Sequence, residues 1–303
     1  MENPELIKND QNDSNLKPAI KWGWLRALLQ FFVWIVLMVI IQGMVAVAVI
    51  LIKGQDPALL MTDKGGIFQK IGVTGITVIY LAGLVCTLLT VWIFRKFIDK
   101  KSMLSLGFKF KDYRNDLFAG MGWGFVLIMI VFLVLWFSGM VNVTGIRLDP
   151  LSVFIYFILF IIVALNEEIL MRGYILSNLM DSMNKYVALV LTSILFSAMH
   201  LMNANASFFS IFNIFVAGIL LGIYFIHKGN LWFPIGMHLT WNFFQGPIFG
   251  FKVSGYVTDS IIIQDIKGSE LITGGEFGLE ASIITTITMI ILITVIHYKY
   301  RKA

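Results

Sequence analysis

Residues 164–174 read A-L-N-E-E-I-L-M-R-G-Y, so Glu167, Glu168 and Arg172 arrive directly after an almost unbroken apolar run over 151–165. In a membrane helix an acid or an Arg near the middle costs roughly 2.5 to 3.5 kcal/mol, and such residues usually face a bundle interior or a water-filled space. Glu168 and Arg172 can offset part of that cost by pairing at i,i+4 with the acid N-terminal. Glu167 is rotated by about 100° from its neighbour on a helix of ~3.6 residues per turn, so it points elsewhere and lacks a partner on its own helix. Two of the four histidines, His200 and His238, also fall inside apolar stretches, with Phe196 one turn before the first and Asn242 one turn after the second. A single His on an apolar face is most often a satisfied core residue. A carboxylate, two imidazoles and an amide on three apolar segments are instead the groups that activate water and stabilise an oxyanion.

The rest of the chain must position these groups, and its composition says how. Of 303 residues, 58% are hydrophobic and only 14% charged, with mean hydropathy +0.84. That lies outside the range of soluble domains and predicts an all-α, polytopic membrane protein. Apolar runs at about 25–52, 71–94, 116–138, 151–182, 186–202, 207–227, 233–249 and 280–297 give about eight transmembrane helices, the runs at 186–202 and 233–249 being short and interrupted by polar residues. Residues 1–20 read as a polar cytoplasmic tail without the apolar core of a signal peptide, and 21–303 as one membrane-embedded domain. Cys86 is the only cysteine, which excludes an internal disulfide and a Cys-based metal site. The runs at 151–182 and 186–202 form an antiparallel pair turning near Met183 and Asn184, which sets Glu167 level with His200. The Gly120/Gly124 and Gly218/Gly222 spacings let helices approach closely within one subunit.

The formal net charge is +5. In a membrane protein this sets orientation; no nucleic-acid partner is expected. With the N-terminus inside, 17 of the 23 Lys and Arg residues fall on the inner side and 6 outside, so both termini are expected in the cytoplasm. His238 stands eight residues beyond Asn230 at the inner surface, a depth of about 12 Å, which predicts a site reached from the cytoplasmic side.

The three polar clusters resemble the motifs of the CAAX-protease and bacteriocin-processing family of intramembrane proteases, related to the type II CAAX prenyl endopeptidases. Glu167, Glu168, Arg172, Gly173 and Tyr174 match E-E-x-x-x-R-G-Y; Phe196 and His200 match F-x-x-x-H; His238 and Asn242 match H-x-x-x-N. All lie within about 150–245. The resemblance implies cleavage of peptide bonds in the membrane, acting on a membrane protein or a lipidated peptide in contact with the lipid bilayer of a bacterial cell. It fits a metal-free glutamate mechanism: Glu167 as base, His200 sharing or orienting the water, His238 and Asn242 as oxyanion donors, and Glu168, Arg172 and Phe196 as support. The alternative is a zinc enzyme with Glu167, His200 and His238 as ligands, since one Glu and two His form a known catalytic zinc set. A transporter or a non-catalytic bacteriocin-immunity protein is the reading from another class. The absence of visible related halves speaks against transport.

Overall fold

The computed structural model describes residues 17–58, 60 and 67–301; most of the expected polar tail therefore lies outside the described residues. Each of the expected apolar runs forms a helix: α1 (Gly23–Ile52), α2 (Ile67–Ile93), α3 (Arg114–Phe137), α4 (Pro150–Glu168), α5 (Lys185–Ala198), α6 (Phe208–Lys228), α7 (Trp232–Phe243) and α8 (Ile283–Tyr300). Six helical segments among the described residues are long and apolar enough to cross a membrane. The two interrupted runs are the short ones. With 14 residues, α5 extends only about 21 Å at ~1.5 Å per residue, less than the ~30 Å of a hydrocarbon core. It stops at Ala198, and His200 lies in the turn beyond it rather than inside a helix reaching 202.

The helix ends follow local chemistry. Asp149 caps α4 by accepting from the Ser152 N–H at 3.1 Å, with Pro150 preset for the first turn. Those Ser152 hydrogen bonds hold the Asp149 carboxyl below the usual carboxylate range. Asn184 caps α5 and a Ser207/Ser210 capping box opens α6. Gly229 ends α6 at φ 61°, a left-handed conformation that glycine adopts without steric cost. After Glu168 the α4 backbone widens into a π-helix over Ile169–Leu176, then resumes as Ser177–Met180. Arg172 stands in that wide turn.

α4 packs against α2 and α7; α7 lies along α3; α5 packs on α6, and α6 on α8. Glycines set the closest of these approaches. A Cβ at Gly120 would sit 2.1 Å from the Phe233 carbonyl oxygen, one at Gly124 2.4 Å from that of Met237, and one at Gly236 2.5 Å from that of Leu117, so α3 and α7 touch backbone to backbone. A Cβ at Gly218 would meet Ser193 of α5 at 2.9 Å, and one at Gly222 the Leu189 side chain at 2.4 Å. Both small-residue pairs thus serve packing within the chain.

The two ends of the bundle differ. At one end β1 (Val141–Ile146) and β2 (Ile262–Ile266) pair antiparallel, Val141 opposite Ile266, and the 199–207 and 249–282 connections meet through Asn203 to the Ser254 carbonyl and Asn205 to the Glu276 carbonyl. At the opposite end Asp99, fully buried, accepts from Arg26 (3.1 Å), Arg95 (2.9 Å), Tyr174 (3.2 Å) and Asn178 (3.3 Å), while Arg26 also reaches Asp181 at 2.8 Å. That network ties α1, the end of α2 and the continuation of α4 together.

Candidate active site

Glu168 sits at the last α-helical position before the π-helix and has no solvent exposure. Its Oε1 accepts from Arg172 Nη1 at 2.9 Å, the expected i,i+4 pair, and also from His238 Nδ1 at 2.9 Å. The pair is therefore not closed on itself. Glu168 holds an α7 side chain as well as an α4 one, a link across 70 positions that no local spacing reveals.

Glu167 is not solitary either. Its Oε2 lies 3.8 Å from His238 Nε2, too long for a hydrogen bond but close enough for one water to touch both atoms at about 2.8 Å each. His238 thus stands between the two carboxylates, Nδ1 on Glu168 and Nε2 toward Glu167. Because a carboxylate only accepts, Nδ1 carries the proton, and Nε2 offers a lone pair in the imidazole or a second N–H in the imidazolium. His200 is fixed in the same manner: its Nδ1–H donates to the Phe196 carbonyl at 2.8 Å.

Phe196 joins the remaining parts. The Arg172 guanidinium lies 4.5 Å from its ring centroid, the His200 ring 4.9 Å away and the His238 ring 6.5 Å away, edge-on. Arg172 is completed by the Gly218 carbonyl of α6 at 3.2 Å. π-Helical turns recur at functional sites, and here the widened turn lets a buried cation reach a carboxylate, an aromatic face and a neighbouring helix together.

A cavity of about 570 Å³ collects these groups: Glu167, Phe196, His200, His238 and Asn242 all line it. His200 and Glu167 share this cavity, but no direct hydrogen bond between them is present among the described residues. Asn242 is 7% exposed and forms part of the wall beside Trp241.

Sequence reasoning missed Asn166. The Trp34 indole N–H donates to the Thr87 hydroxyl at 2.7 Å, which donates to Asn166 Oδ1 at 2.6 Å. Asn166 lines the cavity next to Glu167 in the chain, and its amide carries donors as well as the oxygen that accepts from Thr87. The signal was there as uncharged polar residues, Thr87 and Asn166, inside apolar runs; a search confined to ionisable groups passes over them. Glu280 was missed for lying at a span edge. It is buried in the cavity wall, bonded to Gln245 and to the Ser254 N–H and hydroxyl, and burial pushes its carboxyl up to about 7.

The zinc alternative needs Glu167, His200 and His238 to converge. The donor types suit zinc, and each imidazole has its Nδ1–H anchored on an oxygen, as metal-bound histidines do. Yet among the described residues no three His, Cys, Asp or Glu side chains are gathered so as to hold an ion.

The fold and the buried charges define a polytopic helical membrane protein with a polar, cavity-lining cluster carried on α4, α5 and α7. Residues 149–244 match the family model described as Type II CAAX prenyl endopeptidase Rce1-like. The stretch holds all three motifs, so the resemblance read from them is borne out over those residues, about a third of the chain. No curated protein and no solved structure matches the chain.

Proposed function

We propose that this protein is a metal-free intramembrane endopeptidase in which Glu167 activates water for attack on a peptide carbonyl. The observation that carries this reading is the 3.8 Å gap between Glu167 Oε2 and His238 Nε2 at the wall of a cavity large enough for an extended peptide. A water bridging the two atoms would give a proton to Glu167 as its oxygen bonds to the carbonyl carbon. His200, with Nδ1 committed to the Phe196 carbonyl, has Nε2 available to orient that water. The carbonyl oxygen gains negative charge as the tetrahedral intermediate forms, and preorganised donors there are worth a few kcal/mol of barrier. Asn242 is one donor. His238 acts as the other only as imidazolium, since Nδ1–H is spent on Glu168, and the flanking carboxylates are the partners such a cation needs. Asn166 Nδ2 supplies a further donor for substrate backbone. Collapse of the intermediate breaks the C–N bond, and the proton held by Glu167 passes to the leaving amine.

Under this reading the substrate is a membrane protein or a lipidated peptide, both termini of the enzyme lie in the cytoplasm, and no cofactor is needed. The test is to compare membrane peptides from cells carrying wild type and Glu167→Gln, with the purified enzyme assayed before and after exhaustive chelation. Products that vanish in the variant and activity that survives chelation are the expected results. Activity restored by added zinc would transfer Glu167, His200 and His238 to a ligand role.

A further inference from the structure

Most of the cavity lining comes from the middle and the sheet-end parts of the helices. From α1 come Trp34, Met38, Gln42, Ala46 and Ile50; from α2, residues between Ile71 and Tyr80; from α4, residues between Tyr156 and Glu167. The wall is then continued by Asn203 and by Val253, Ser254, Tyr256, Val257 and Thr258, all in connections at that end. The opposite end is sealed. Arg26, Arg95, Asp99, Tyr174 and Asn178 are buried there, Asn230 is 1% exposed with its amide on the Lys109 carbonyl, and none of these lines the cavity. The expectation that the site is reached from the Asn230 end is therefore corrected. Depth along α7 gave the distance to a surface, but the 103–111 segment and the Asp99 network fill that route, with the Gly107 carbonyl accepting from the Leu231 N–H at 3.0 Å.

The sheet end is also the end poor in cations. The dense cluster Arg95, Lys96, Lys100, Lys101, Lys109, Lys111 and Arg114 belongs to the sealed end. By the positive-inside bias the sealed end faces the cytoplasm and the sheet end, toward which the cavity lining extends, faces outward. We propose that this protein takes its substrate from the extracytoplasmic side: an extended peptide whose scissile bond is flanked by apolar residues, matching a wall built largely of Trp34, Met38, Ile79, Phe160 and Leu221. An extended strand is required because a helix keeps its carbonyls in internal hydrogen bonds. A CAAX tail processed in the cytoplasm does not have access to such an opening. The inference rests on the protease reading for what happens in the cavity, and on geometry and charge for the side it faces.

The test uses full-length protein with Cys86→Ser, carrying Met199→Cys on the cavity wall, Val257→Cys at the sheet end, or Lys96→Cys at the sealed end. Each is treated with a membrane-impermeant maleimide in sealed right-side-out and inside-out vesicles, after gel filtration in detergent confirms a folded protein. The expected result is labelling of Met199→Cys and Val257→Cys at least tenfold faster in right-side-out vesicles, with the opposite preference for Lys96→Cys. Labelling of Met199→Cys mainly from the Lys96→Cys side, or of Val257→Cys without Met199→Cys, overturns the proposal. A mixture of soluble internally quenched peptides with apolar centres, added to the same vesicles bearing the Cys86→Ser parent, should be cleaved in the right-side-out preparation. Absence of cleavage in vesicles and in detergent alike would count against the protease reading, while the labelling pattern would still decide which side the cavity opens to.

Discussion

At Glu167 and Glu168, adjacent carboxylates have opposite surroundings. Glu168 is sealed and bonded to Arg172 and His238, while the Glu167 side chain is 18% exposed at the cavity and approaches His238 at 3.8 Å. Removing the reacting carboxylate should cost turnover rather than fold. Glu167→Gln and His200→Ala are expected to lose nearly all cleavage at unchanged thermal midpoints, measured on purified protein in detergent; normal turnover in either would take that residue out of the chemistry. Glu168 behaves differently. Removing one partner of a buried ion pair leaves the other charge uncompensated, at about 3 to 5 kcal/mol. Glu168→Ala and Arg172→Ala should therefore lower the unfolding temperature as well as activity. The Glu168 change should do more, because it frees His238 too, and an unchanged midpoint in both would mean the pair contributes nothing to stability.

The helices carry a second set of consequences. α7 can present His238 and Asn242 at the cavity only because Gly120, Gly124 and Gly236 let it lie against α3 with backbones touching. A side chain at Gly124 would meet the Met237 carbonyl and the Thr240 hydroxyl, so Gly124→Val should displace α7 and abolish folded protein or activity. At Gly122, two residues away on the same helix, an added Cβ meets nothing within 4 Å, so Gly122→Ala should be silent. Fluorescence-detected size exclusion of the two variants checks this, and equal behaviour would mean that the α3/α7 contact is not limiting.

On the scale of the molecule, the cavity wall at the sheet end hangs on Glu280, which joins the turn before α8 to Ser254 and, through Gln245, to the Lys252 carbonyl and the Trp241 indole. Its carboxyl ordinarily titrates near 4.5 and is pushed up to about 7 by burial. A raised carboxyl contributes stability fully below its unfolded value and loses it as pH climbs through the folded one. Thermal stability attributable to this group should thus fall between about pH 5 and pH 8. The difference in unfolding temperature between wild type and Glu280→Gln, followed across that range, should shift in favour of the variant as pH rises. A pH-independent difference would show that Glu280 is not proton-linked to folding.

The sequence by itself located the eight apolar runs that form helices and gave their order, because transfer of apolar residues into lipid is a local property of each run. It also determined the set of polar groups that lipid cannot tolerate without a partner, and the i,i+4 bond of Glu168 to Arg172. Only the tertiary structure decided which partner each group takes. The His238 bond to Glu168, the Trp34, Thr87 and Asn166 chain, and the closure of the Asn230 end by the 103–111 segment all join residues far apart in the chain. Spacing along one helix fixes depth and face. Which end of a bundle is open depends on how the connections fold over it, and that is set by long-range packing that periodicity does not encode.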